Sequence, residues 1–547
     1  MKSLSRPAAL FAGLWALYAA WPDALTNFDG VMFSGIISER SVGWRSALFQ
    51  YAGHYLFNPT AWLFYRGLSA VRPGLPGFAS IHLMNALLAA ASATLLFLAL
   101  RDWLDESLAL PLALLTAVGA NVWERAAECS VYTPALFFTT AAFAALLRYL
   151  RSGRRTPLLL SAAAVGVSSL YHLVHAFWTP AFLVAVLVKK KRDAALFLGV
   201  CAATGLIPQV AAFRLWTAAA WRSWYMNMGS ASVTTWGHHP GRVAVHFPWR
   251  SFADAGTRVL WSWPPREASW PLAAAFFAAA AAASYLAVRL LRPSVFRDAD
   301  REGRGLFAFA ATLPLCVFCF QTLSVWEHLP RYVGSLALAC VAAAVGLLRA
   351  VRGGRAVGAA LWILASGTAI FNAAGTIVPD SRWEKNETLQ NSFALARMTP
   401  PGSLLVVDGF TRNARKVYLT GLCGRGLLTM DHYLIRFGKR DALERIRAWI
   451  VKDLESGTPI YVPSDVLQGR FLEGLPPEWG MTRADLDSIF SPFELQNLSP
   501  PTADPGVRRL WPRRAPADLW RRFAERSREL GRRREAAFAR ERGKGRG

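Results

Sequence analysis

Asp29, His54, Glu128, Tyr132, His172, His175 and Arg331 are the residues of this chain whose types and surroundings can support chemistry. Asp29 stands just before the apolar run Val31-Met32-Phe33. A carboxylate there can take a proton from an acceptor hydroxyl, or it can simply cap a surface helix. Glu128 lies in Trp123-Glu124-Arg125-Ala126-Ala127-Glu128-Cys129-Ser130-Val131-Tyr132. An acid at a membrane boundary is costly unless paired or wetted, so Glu128 either pairs with Arg125 to anchor a helix end or helps bind and orient an acceptor. His172 and His175 have the i, i+3 spacing of one helical face. They can hydrogen-bond a phosphate or sugar, or pack without a role; a metal would need carboxylates from elsewhere. Arg331, in Trp326-Glu327-His328-Leu329-Pro330-Arg331-Tyr332, can stabilise charge on a departing phosphate, or snorkel at the interface.

The elements that must position these groups follow from composition. The chain has 547 residues, 53% of them apolar and 18% charged, and its mean hydropathy is +0.25. That points to a membrane protein with a modest soluble part. It excludes a disordered, collagen-like or disulfide-scaffold protein, because six cysteines are too few and too scattered. The formal charge of +25 (61 basic minus 36 acidic residues) does not imply nucleic acid. The tail from Val507 to Gly547 holds 15 basic and 5 acidic residues, or +10, and much of the remainder sits in short loops, where it sets topology.

A bilayer crossing takes about 20 apolar residues. Candidate spans fall at roughly 7–22, 78–100, 107–122, 131–148, 157–171, 175–188, 194–213, 271–291, 306–322, 333–350 and 356–374, about eleven in all. Basic clusters recur after every second span, as at Arg148-to-Arg155, Lys189-to-Arg192 and Arg349-to-Arg355. The positive-inside rule puts them in the cytoplasm. The first span reads as an uncleaved anchor, since Pro22 and Asp23 follow it without a small-x-small site. The expected protein is therefore a multi-pass protein of the inner (plasma) membrane, with its amino terminus cytoplasmic. Loops 23–77 and 214–270, the turns near 121–130 and 172–176, and the turn 323–332 all face outside. Every residue singled out above lies on one of these pieces, save Tyr132, which falls at the start of the span 131–148 that follows the turn 121–130.

Within the first outer loop, Val31–Ile37 and Trp62–Leu68 are too apolar to be solvated and read as helices on or in the membrane surface. Loop 214–270 carries eight tryptophans, a side chain that prefers the interface. An Asp soon after the first span, two surface helices in the first outer loop and Asn85 in the second span together resemble the GT-C glycosyltransferases, multi-span enzymes that use polyprenyl-phosphate-linked sugars. The stretch is similar, more narrowly, to a bacterial family of unknown biochemistry grouped with the protein O-mannosyltransferases. That family has an Asp-x-Gly-Glu-like element, then a His-Pro-Pro element, then an Asn-x-x-x-Ala span. This chain has Asp29-Gly30 without the following acid, and Gly53-His54-Tyr55-Leu56-Phe57-Asn58-Pro59 in place of the Pro-rich element. Glu128 and Tyr132 stand where the family has Glu-Val-Tyr, with two residues inserted, and His172 or His175 where it has a late His.

The resemblance implies a donor that is a polyprenyl-phosphate sugar, an acceptor that is a protein hydroxyl, lipid or glycan, Asp29 as general base, and Arg331 meeting the lipid phosphate. No nucleotide is required, and a divalent metal is left open. The alternatives are a non-catalytic transporter or assembly factor for lipid-linked glycans, or a glycan ligase or polymerase. Transporters place polar residues near the midplane of interrupted helices; here the spans are nearly all apolar and the polar groups gather on one face.

Residues 1–375 are thus expected to form a GT-C-like transmembrane domain and 376–515 a small extracytoplasmic α/β domain. In the latter, Ser403–Val407 and Pro459–Pro463 read as strands and Ala442–Leu454 as a helix, with no glycine-rich phosphate loop. The basic amphipathic tail 516–547 can lie on anionic lipid headgroups. Membrane lipids, the lipid-linked donor and its acceptor are the expected partners, and no base-reading motif supports nucleic acid.

Overall fold

A computed structural model describes residues 5–24, 28–38, 54–215, 259–262, 265, 269–290, 300–323, 334–351, 354–408, 415, 418–419, 423–469, 471–472, 480–498 and 506–512. The chain divides into two compact units, Met1–Arg382 and Trp383–Gly547. Arg331, most of the tryptophan-rich loop and the basic tail lie outside the described residues.

In the first unit the apolar runs fold as helices: α1 Ser5–Ala20, α2 Phe28–Ile37, α3 Phe57–Val71, α4 Gly77–Leu100, α5 Glu106–Val118, α6 Ala120–Ala127, α7 Tyr132–Ser152, α8 Arg155–Tyr171 and α9 Thr179–Lys189. They continue with α10 Ala194–Cys201, α11 Ile207–Leu215, α12 Trp270–Leu290, α13 Arg301–Leu323, α14 Gly334–Val351 and α15 Arg355–Asn372. Local sequence sets several ends. Pro76 is extended, which stops any helix before α4. Gly153 closes α7 in the left-handed region at φ 65°, where a Cβ would be strained. The core joins α4, α5, α7, α8, α9 and α12 to α15 through residues such as Phe143, Phe182, Phe309, Val345 and Leu361.

Among the described residues five helices are long and apolar enough to cross a bilayer: Gly77–Leu100, Tyr132–Ser152, Lys191–Ala211, Trp270–Arg289 and Arg355–Asp380. This is a multi-pass membrane protein. The expected count of eleven is not reached by that measure. The run near 107–122 is not one straight span but α5 and α6, bent by 57°. The first and the 157–171 runs form helices of 16 and 17 residues, short of the ~30 Å hydrocarbon core unless flanking residues take part.

Both expected surface helices of the first outer loop form, as α2 and α3. Their packing differs from a simple interfacial pair. Phe33, Ile36 and Ile37 of α2 are buried with Phe57, Ile81, Met84 and Tyr132, so α2 is part of the folded unit. α3 leaves Leu63 and Val71 exposed.

The basic loops meet at one end of this unit. Arg6 bonds Glu106 at 2.8 Å, Arg148 reaches Asp102 at 3.6 Å, and Lys189 reaches Glu302 at 3.6 Å. Arg349 reaches Asp300 at 3.1 Å and Glu302 at 3.2 Å, and its guanidinium lies over Trp103. The positive-inside pattern thus corresponds to one physical end of the bundle.

The second unit is built on a five-stranded sheet: β1 Leu404–Val407, β2 Gly426–Thr429, β3 Ile460–Pro463, β4 Phe493–Asn497 and β5 Val507–Pro512, in the order β2-β1-β3-β5-β4. β1 is parallel to β2 and β3; β5 is antiparallel to β3 and β4. Both expected strands form, and the expected helix 442–454 is the second half of the longer Met430–Glu455. Leu443, Ile446, Ile450 and Leu454 of that helix pack on one sheet face with Leu404, Val406, Ile460 and Val462.

Candidate active site

The end of the first unit opposite the basic loops is assembled around the turn Glu128-Cys129-Ser130. Asn85, fully buried in α4, donates both hydrogens of its side-chain amide to this turn, to the Glu128 carbonyl at 2.9 Å and the Ser130 carbonyl at 2.8 Å. A polar amide inside an apolar helix is tolerated only when it is bonded, and these two acceptors supply that. The turn in turn receives α2. The Cys129 thiol donates to the Gly30 carbonyl at 3.3 Å, and a Cβ added at Gly30 would lie 1.7 Å from the Cys129 carbonyl oxygen. Only glycine allows that approach. It seats the backbone of Asp29, the second residue of α2, next to the segment that carries Glu128. The Asp29 side chain is outside the described residues.

Glu128 forms the ion pair with Arg125 that its sequence context allowed. Glu124 flanks the same guanidinium at 3.9 Å, and the guanidinium lies 5.8 Å from the centre of the Tyr132 ring. Tyr132 stacks on His172 at 5.1 Å, and His172 meets His54 edge-on at 4.7 Å. His54 is fixed from behind, Nδ1 to the Tyr171 carbonyl at 3.0 Å. Asp23 also joins this end, its N–H bonded to the Ala127 carbonyl at 2.9 Å. Burial pushes the Cys129 thiol well up, with the carboxylates of Glu128 and Asp23 adding to it.

Glu128, Tyr132, His172 and His54 therefore form one contiguous polar and aromatic cluster, from elements up to 118 residues apart in sequence. His175 lies behind His172, their ring centroids 6.1 Å apart. The i, i+3 helical face expected for the two histidines is absent, because Leu173–Trp178 is a 3-10 turn and His172 precedes it. His175 turns inward, buried, with Nδ1 2.6 Å from the Thr139 hydroxyl. Among the described residues no three His, Cys, Asp or Glu side chains are grouped so as to hold a metal.

A second set of bonds braces the cluster. The break between α5 and α6 frees the Val118 carbonyl, and Asn372 at the end of α15 takes it at 2.8 Å while donating also to the Leu260 carbonyl at 2.7 Å. Its oxygen accepts the Ser262 N–H at 3.0 Å, and the Ser262 hydroxyl bonds Glu124. The end of the tryptophan-rich loop is thereby tied to the acid beside Arg125. Next to that seam lies a cavity of about 560 Å³, lined by Leu112, Leu260, Leu286, Pro314, Leu336 and Leu364 among other almost wholly apolar groups.

The chain aligns with two crystal structures of ArnT from Cupriavidus metallidurans. For the apo state the TM-score is 0.52 at 15% identity. For the state bound to undecaprenyl phosphate it is 0.51 at 14% identity. Each alignment covers 93% of this chain and 97% of that chain. The chain has the GT-C fold. No protein-family model and no curated protein sequence matches it, so the narrower resemblance to a bacterial family rests on sequence motifs alone. At such identities the likeness speaks for the GT-C architecture and not for any residue's role.

Sequence reasoning missed Asn372, Ser262 and Asp23 as parts of this end, and it noted Asn85 only through resemblance. The available signal was physical. An Asn within or closing an apolar run must find partners in the protein, and both Asn85 and Asn372 hold backbone carbonyls at the site.

Proposed function

We propose that this protein is an integral membrane glycosyltransferase that moves a sugar from a polyprenyl-phosphate donor to an extracytoplasmic acceptor, a protein hydroxyl, lipid or glycan. Asp29 removes the proton from the acceptor hydroxyl. The oxygen attacks the anomeric carbon, the bond from that carbon to the phosphate oxygen breaks, and the sugar is delivered with inversion. The lipid phosphate leaves with the bonding pair, its charge met by Arg331. Glu128 holds Arg125 over Tyr132, and Tyr132, His172 and His54 line the acceptor side. His175, bonded to Thr139, supports that lining from behind.

The observation that carries this reading is the gathering of Glu128, Arg125, Tyr132, His172 and His54 at the end opposite the basic loops, with the Asp29 backbone seated against their turn. The fold adds support, since ArnT was crystallised with undecaprenyl phosphate bound, and the apolar cavity between α5, α13, α14 and α15 suits a lipid chain. Such a donor carries its own activation, so positioning and charge stabilisation are the protein's share of the work.

The test compares envelope glycans and glycoproteins of cells with and without the protein by mass spectrometry. Cells lacking it are expected to miss one sugar. The wild-type gene restores it, and Asp29→Asn, expressed at equal abundance, does not, consistent with the ~10²–10⁴-fold share of a general base. Full restoration by Asp29→Asn overturns the base assignment. A whole lipid-linked glycan stranded in the membrane, with no sugar missing from it, would support a transporter instead.

A further inference from the structure

Among the described residues the second unit holds two buried arginines, and the fold treats them differently. Arg425 is saturated: its guanidinium bonds the Thr399 hydroxyl at 3.1 Å and the carbonyls of Cys423, Ala396 and Thr399. Arg415 is 2% exposed. Its Nη1 donates to Asp465 Oδ2 at 2.7 Å, while its Nε and Nη2 are buried without a partner. Buried N–H groups of an ionised side chain are rarely left so.

The position is informative. Asp408 directly follows β1 and Asp465 lies two residues past β3, and β1 and β3 are adjacent parallel strands. The strand order β2-β1-β3 makes the carboxyl ends of β1 and β3 the point where the chain's connections diverge, the place where open α/β sheets take ligands. Asp408 is buried at that end, and the Asp465 side chain that pairs with Arg415 is 23% exposed, so the pair reaches solvent on the Asp465 side.

We propose that this edge binds a neutral polyhydroxylated ligand, a sugar or similar polyol. The unpartnered N–H groups of Arg415 would donate to ligand oxygens, and the Asp465 carboxylate would accept from a ligand hydroxyl. The Asp465 carboxylate already balances the Arg415 charge, so a phosphate or other dianion would find no net attraction there. The site is independent of the transferase reading and stands or falls without it.

The experiment uses the full-length protein in nanodiscs with methyl α-glucopyranoside and methyl β-arabinopyranoside as probes, read by saturation-transfer NMR. Saturable binding of at least one glycoside is expected, weakened at least tenfold by Arg415→Met and by Asp465→Asn. Should Arg415→Met fail to fold by thermal unfolding, Asp465→Asn, a near-isosteric change, decides. No saturable binding to the wild type overturns the proposal. So does binding of inorganic phosphate in place of both glycosides, which would make this an anion site. Binding that survives both variants but is lost in Glu128→Gln belongs to the membrane unit, and likewise overturns it.

Discussion

Arg148 and Asp102 meet at 3.6 Å with side chains 47% and 43% exposed. At the other end of the same unit, Arg125 and Glu128 pair with side chains 13% and 9% exposed. Each pair joins an arginine to a carboxylate, and the two differ in what sets their energetic weight. The first is one of several long, wet contacts whose members can trade partners, and such pairs contribute roughly 0–1 kcal/mol. The second is enclosed by Tyr132, the Asn85-held turn and α2, and removing one member would leave a desolvated charge. The basic end resembles a topological label, read during insertion and then left in water. The other end resembles a built site, where charge has been taken out of solvent at a cost the rest of the fold must offset.

Breaking the enclosed pair is the strongest challenge to this contrast. Arg125→Met should cost about 3–5 kcal/mol, the usual penalty for stranding one partner of a buried pair, seen as a fall in melting temperature of the purified protein. Arg125→Met with Glu128→Gln should recover much of that loss while leaving sugar transfer impaired. A single variant as stable as the wild type would show the pair to be solvated and the contrast unfounded.

Gly30→Ala comes next. The added methyl would fall 1.7 Å from the Cys129 carbonyl, against backbone rather than a yielding side chain. Either α2 withdraws or the turn shifts, at roughly 1–3 kcal/mol, the common range for overpacking. The sharper expectation is functional: transfer should fall further than stability does, because α2 carries Asp29. Equal activity in Gly30→Ala would separate Asp29 from the Glu128 turn.

The legible and illegible parts of the molecule divide along the same physical line. Periodicity and apolar length located the helices of the first unit, and the alternation of basic loops located one end correctly, since Arg6, Arg148, Lys189 and Arg349 do meet neighbouring acids there. Sidedness arguments then collected Asp29, His54, Glu128, Tyr132, His172, His175 and Arg331 on the opposite face; the rings of Tyr132, His172, His54 and His175 meet, and Glu128 reaches them through Arg125. What one sequence does not display is backbone geometry. The bend at Gly119 breaks an apolar run that reads as one span, and the 3-10 turn after His172 sends His175 inward. The bracing by Asn372 joins residues 110 and more positions apart, and no local pattern encodes a contact of that range.

Asn372→Leu tests that bracing. It would leave the Val118 carbonyl and the Ser262 N–H without their Asn372 partner at once, while the Leu260 carbonyl keeps the Ala120 N–H at 3.2 Å. Each buried backbone group so stranded costs about 1–3 kcal/mol, but water at the break can take over some of them, so the net loss should be nearer the lower figure. Proteolysis should become faster between α11 and α12, because Leu260 and Ser262 lose the amide that holds them to α15. Unchanged proteolysis would mean that Ser262 and Leu260 are held by something other than this amide.

Arg148→Gln carries the smallest expectation and is the most direct measure of the wet end. Its guanidinium is nearly half exposed and sits at 3.6 Å from Asp102, beyond an ordinary hydrogen bond. Removing it should change stability by no more than about 0.5 kcal/mol, and raising the salt concentration should erase even that, because exposed charges are screened over about 8–10 Å at ordinary ionic strength. Membrane topology should hold as well, since Arg151, Arg154 and Arg155 remain in the same loop, whereas replacing all four should weaken the inside preference of that loop. A large stability loss from Arg148→Gln alone would mean that this end, too, is a built structure, and that burial rather than sidedness governs where the chain places its charges.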